Sequence, residues 1–116
     1  MEITAFYQYV DFPKRASFKC NDEKLNKIWE VAEHTCRLCS GIFFLDGVKR
    51  DKWIWSGDAY QSFFVNQYLL ADPDIDQRTL LALRGNDPMT RHINTIMDYS
   101  LFWILGVLLS LIHISE

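Results

Sequence analysis

Between Gly57 and Ala71 the chain carries Ala59, Tyr60, Phe63, Phe64, Val65, Tyr68, Leu69 and Leu70. A helix built on this stretch is apolar nearly all round. Such a helix needs partners on every side and belongs inside a large protein rather than on the surface of a small domain. Ser56 is the expected N-cap. The 116 residues available suffice for one small domain or a piece of a larger one.

The flanking segments read as helices too. Leu25, Ile28, Trp29, Ala32, Cys36 and Cys39 recur at three- and four-residue steps and predict a helix over 22–39. Asn21 or Asp22 caps it, with Glu23–Lys27 and Glu33–Arg37 as i,i+4 pairs on its wet side. Asp72-Pro73 opens a third helix that stops at Arg84-Gly85, where Pro88 confirms the break. A fourth is expected from about Thr95 to Leu108, with Trp103 in its core-facing stripe. Only the start differs: Ile3–Phe18 contains ITAFYQYV, broken by Asp11-Phe12-Pro13, and predicts one strand followed by a loop. A lone strand has nothing to pair with here, which points to a sheet-bearing neighbour upstream. Short loops without βαβ alternation give a mainly α chain of helical hairpins.

Composition excludes several classes. Charged residues at 23% against 49% hydrophobic describe a globular chain, and a net charge of −3 lacks the basic footprint of a nucleic-acid binder. Residues 101–114 form the longest apolar run, shorter than the roughly 18–20 residues that span a bilayer. A membrane partner is not expected, and no leader follows Met1. Three cysteines, Cys20, Cys36 and Cys39, give no disulfide framework. Cys36-Arg37-Leu38-Cys39 has CxxC spacing, but without a second pair it reads as buried thiols, with a site completed by His34 as the alternative. No metal or cofactor is expected. Residues 109–116 can be written CTG TCT CTT ATA CAC ATC TCC GAG, which resembles the end of a transposase adapter, so this tail is expected to stand outside the native fold.

The chemistry concentrates between the first two helices. From Asp46 to Asp58 the chain reads DGVKRDKWIWSGD, packing carboxylates, cations and two tryptophans into one short stretch. Leaving two indoles exposed wastes burial energy of roughly 2 kcal/mol each, which argues against a plain solvated turn. A glycosidase needs these parts: an acid to protonate the leaving oxygen, a further carboxylate, and a flat ring against the sugar's C–H face.

Asp46-Gly-x-Lys-Arg-Asp51-x-x-x-Trp55-x-Gly-Asp58 closely resembles the active-site signature of bacterial α-L-rhamnosidases, glycoside hydrolase family 78. The likeness extends to 18–29, to Ala59-Tyr60-Gln61-Ser62, and to 92–100, HINTIMDYS. The resemblance implies removal of terminal α-L-rhamnose, with inversion, from a rhamnose-containing glycoside or polysaccharide. It also implies a partial (α/α)6 barrel: a strand and linker from a β-sandwich domain over 1–20, then the first helical hairpins over 21–108. By position, Asp51 falls on the general acid, Asp46 and Asp58 on carboxylates that bind the sugar hydroxyls, and Trp55 on a sugar-contacting ring. Arg50 is an orienting cation or an ion pair holding the loop. Many family members carry Glu where Asp51 stands. The inverting base lies further downstream in the family, and no Glu follows Glu33 except Glu116, so this stretch alone is expected to be inactive. Other readings are a six-hairpin glycosidase for another sugar, and a non-catalytic module presenting Trp53 and Trp55. His92 reads as a solvated loop histidine near the cleft mouth.

Overall fold

Each helix begins where the chain offers its free N–H groups an acceptor. The computed structural model describes residues 2–6, 9–85, 88 and 93–115, and contains α1 (Glu23–Cys39), α2 (Ser56–Leu69), α3 (Pro73–Arg84) and α4 (Asp98–Ser115). Asp22 caps α1, its carboxylate accepting from the N–H groups of Lys24 and Leu25 at 2.8 and 3.3 Å. Asp72 does the same for α3 through Asp74 N–H at 2.9 Å, with Pro73 in the first turn and Gly85 at φ 81° ending the helix.

Four expectations need correction. No strand forms among the described residues of 1–20, because a single extended segment finds no ladder partner; the sheet content is one isolated bridge, Ser40 to Phe44. Ser56 is the first residue of α2 rather than its cap. The fourth helix starts later and runs through Leu108 to Ser115, since nothing in that apolar run interrupts the hydrogen-bond ladder. Residues on both sides of the 108/109 boundary pack: Leu109 lies against the core and Ser110 is buried. Finally, Lys27 bonds Glu30 at 2.9 Å and not Glu23, whereas Glu33–Arg37 forms at 3.2 Å. The latter pair is drawn inward: Arg37 also donates to the Phe12 carbonyl at 2.8 Å, and Lys14 reaches Glu33 at 3.5 Å.

The core lies among α2, α3 and α4, which contact one another. Ala59, Phe63, Leu69, Leu70, Ile75, Leu80 and Leu83 are buried there together with Phe12, Phe44 and Ile54 from the loops. Gly106 lets α4 approach α2 closely, since a Cβ there would meet the Phe63 ring at 2.7 Å. Trp103 packs against the core, as its stripe predicted, and its indole N–H donates to the Leu80 carbonyl at 3.0 Å. Asn66 ties the α2–α3 corner, donating to the Asp72 carbonyl at 2.6 Å and to Asp76 at 2.8 Å. The loop after α1 is held to α3 by Thr79, whose hydroxyl accepts from Phe44 N–H at 3.0 Å.

The apolar surface exceeds what this chain covers. No residue of α1 is buried, and Leu25, Ile28 and Val31 are exposed along it. On α2, Phe64, Val65 and Tyr68 are exposed, so its expected all-round burial is met on the α3/α4 side alone. Leu101, Ile104, Leu105 and Leu108 are exposed on α4. The radius of gyration, 16.0 Å, exceeds the roughly 13 Å of a compact 100-residue domain, and the extents of 49 × 46 × 23 Å describe a slab. No helix among the described residues is long and apolar enough to cross a membrane.

Candidate functional site

The segment from Asp46 to Asp58 leaves the core at Leu45 and returns at Ile54. Its first part is closed on itself. Asp46 N–H donates to the Trp53 carbonyl at 3.0 Å, and Trp53 N–H donates to Asp46 Oδ1 at 2.9 Å. One oxygen of Asp46 is therefore engaged by the loop's own backbone, and among the described residues the other has no hydrogen-bond partner. The turn between them carries Lys49, Arg50, Asp51 and Lys52, all exposed. Lys52 adopts φ 49°, a left-handed conformation that costs a non-glycine residue energy of order 1 kcal/mol and reverses the chain toward Trp53. Arg50 Nε lies 3.7 Å from Asp51 Oδ1, and its side chain is 94% exposed. The pair joins adjacent residues at the surface, where such contacts contribute little.

The second part is built on the start of α2. Trp55 occupies the N-cap position in an extended conformation, φ −130° and ψ 132°, without a side-chain capping bond. Its ring is half-buried and meets Tyr99 of α4 edge to face, with centroids 6.0 Å apart at 83°. Asp58, exposed in the first turn of α2, accepts from the Tyr99 hydroxyl at 3.5 Å. Tyr99 passes over Gly57, where a Cβ would meet its ring at 2.8 Å. Burial and the neighbouring Asp58 carboxylate, which repels the phenolate, hold the Tyr99 hydroxyl above its usual range.

Sequence position thus places Asp46, Arg50, Asp51, Trp55 and Asp58 on one continuous surface segment, and the contacts divide them into groups. Asp46 pairs with Trp53, Arg50 with Asp51, and Trp55 with Asp58 by way of Tyr99. Among the described residues no hydrogen bond or ion pair links Asp51 to Asp46, Trp55 or Asp58. Trp53 remains half exposed, at 50%, despite the burial energy it forgoes. His92 lies outside the described residues.

Two contributors were not singled out from sequence, Tyr99 and Asn94. Both lie in HINTIMDYS, and the separation of that stretch from the loop hides the contact. Neither announces itself by spacing.

Cys36 and Cys39 line an apolar groove of 460 Å³ between α1 and α2, with Trp29, Phe44, Val65 and Leu69. Burial pushes both thiols above their usual range, which keeps them protonated and poor as ligands. They are free cysteines, and His34 is exposed on α1. Among the described residues no cluster of three His, Cys, Asp or Glu side chains suits a metal ion. Trp29 Nε1 is buried beside this groove without a hydrogen-bond partner among the described residues.

No protein-family model matches the chain, and no curated protein does.

Proposed function

We propose that this chain is the acid-bearing part of a glycoside hydrolase that removes terminal α-L-rhamnose with inversion. The reading rests on the Asp46–Asp58 signature. The observation that supports it is a surface segment on which the Asp51 carboxylate is exposed and the exposed Asp58 carboxylate is joined through Tyr99 to the half-buried Trp55 ring. In this reading Asp51 protonates the departing glycosidic oxygen. Asp58 and the free oxygen of Asp46 accept hydrogen bonds from sugar hydroxyls, and Trp55 packs on the C–H face. Arg50, 3.7 Å from the Asp51 carboxylate, is an orienting cation beside the acid in this reading. Lone carboxylates on one side of a sugar cannot invert it; a base some 6.5–9.5 Å from the acid is required on the other face. The uncovered apolar faces of α1, α2 and α4 support a setting in which further helices of a partial (α/α)6 barrel cover them and bring that base.

Asp51 is one methylene shorter than the glutamate common at this position, so its backbone must sit closer to the glycosidic oxygen. In the enzyme that contains this segment, Asp51→Asn should lower the rate on rhamnosides with poor leaving groups by about 10²- to 10⁴-fold. Activated aryl rhamnosides, which need less protonation, should suffer less. Equal loss on both substrates would remove Asp51 from the acid role.

A second reading, a non-catalytic sugar-binding surface, is favoured by the half-exposed Trp53 ring next to Trp55. It predicts that Trp53→Ala weakens rhamnoside binding as much as Trp55→Ala does, and that Asp51→Asn leaves binding unchanged.

A further inference from the structure

The surface segment ends in a junction whose shape is set from 38 residues away. Asn94 is buried, 3% exposed. Its Oδ1 accepts from the Ser56 N–H at 2.8 Å and from the Ser56 hydroxyl at 3.0 Å, across that separation of 38 residues. Its Nδ2 donates to the Ile54 carbonyl at 3.0 Å. The first N–H groups of a helix have no partner within it, and Trp55 supplies none to α2. Asn94 therefore caps α2 from a distant part of the chain. A side-chain amide suits the place because it offers an acceptor and a donor in one plane, matching an N–H and a C=O on either side of one residue.

That residue is Trp55. With Ile54 and Ser56 both fixed, its backbone cannot rotate, and its ring is left to settle against Tyr99. The same bonds set the first turn of α2 and so the position of Asp58, which Tyr99 holds from the other side. Ile54, whose carbonyl Asn94 bonds, is itself buried.

We infer that Asn94 is a positioning residue of the candidate sugar site, bridging Ile54 and Ser56 so that the Trp55 ring and the Asp58 carboxylate face a common ligand. The ligand part of this inference rests on the rhamnoside reading above; the bridging part does not.

The experiment separates the two. The chain is labelled with 5-fluorotryptophan, its four tryptophans giving four fluorine resonances, and Trp55 is assigned with Trp55→Phe. Asn94→Ala should shift or split the Trp55 resonance while those of Trp29 and Trp103 keep their positions. It should also weaken binding of methyl α-L-rhamnoside about tenfold, the effect of one lost contact of ordinary strength. Asn94→Asp keeps the acceptor for Ser56 and loses the donor to Ile54, so it should fall between wild type and alanine on both readouts. A folded Asn94→Ala with an unmoved Trp55 resonance overturns the inference. So does a Trp55 change that appears only together with equal changes at Trp29 and Trp103, which marks a general loss of structure. If the alanine variant does not fold, Asn94→Asp and Ser56→Ala decide on the same resonance. An enzyme containing this segment that does not bind the rhamnoside refutes the sugar reading, and the Trp55 resonance still decides the bridge.

Discussion

Replacing Gly106 with alanine should destabilise the chain, although alanine is the better helix former. Gly106 is buried inside α4, where glycine costs a helix about 1 kcal/mol relative to alanine. Local propensity alone therefore predicts a gain. The packing predicts the reverse: the new Cβ would stand 2.7 Å from Cε2 of Phe63 and 3.2 Å from Cδ2 of Leu80. Neither neighbour can give way freely. Phe63 is 1% exposed and its ring edge already meets Phe44, with centroids 5.9 Å apart. Forcing one methyl group into such a site costs typically 1–3 kcal/mol. The balance is a loss of up to roughly 2 kcal/mol, and each kcal/mol lowers Tm by about 4–8 °C in a domain of this size class. Urea titration followed by far-UV circular dichroism measures it, and a Phe63→Leu background should shrink the penalty by making room. A Gly106→Ala chain with a higher denaturation midpoint than wild type would refute the close α2–α4 approach.

Other outcomes follow from the same contacts. Thr79→Val keeps the shape of the side chain but leaves the buried Phe44 N–H without its acceptor, and should cost about 1–3 kcal/mol in the same titration. Cys36 and Cys39 should react with iodoacetamide more slowly than a free thiol at neutral pH, with mass spectrometry following each site; rates matching those of free cysteine would contradict their burial. Because folding raises both thiol pKa values, their neutral forms favour the native state. That contribution is complete below the usual thiol range and disappears as pH rises through the raised values, so alkaline unfolding should come earlier than in a Cys36→Ala, Cys39→Ala chain.

The parts of the fold written in short-range chemistry are legible in the sequence. Asp22 before α1, Asp72-Pro73 before α3 and Gly85 after it act within a few residues, and the helices begin and end where they indicate. The departures have long-range causes. Ser56 looks like a cap, but its backbone and hydroxyl are claimed by Asn94, and α2 starts one position earlier than a serine cap would set it. Glu33 and Arg37 look like a solvated pair until the Phe12 carbonyl and Lys14 converge on them. The β-branched, aromatic start of the chain has strand composition and no neighbour to pair with. At the candidate site, the resemblance singled out Asp46, Asp51, Trp55 and Asp58, yet not the way Tyr99 and Asn94 brace Trp55 and Asp58. Those two contacts span about 40 residues, beyond any local pattern.

The remote cap on α2 also bears on the order in which the molecule assembles. A helix nucleus is costly, and one that lacks a local cap frays at its start until the distant partner arrives. Closing the segment between Ser56 and Asn94 demands loop entropy in advance of any reward, so this junction belongs among the late events of folding. The native arrangement of Trp55 and Asp58 accordingly depends on contacts with Asn94 and Tyr99, about 40 residues away. The signature between the first two helices thus joins a part closed by its own local bonds, Asp46 to Trp53, to a part, Ile54 to Asp58, whose geometry depends on distant contacts.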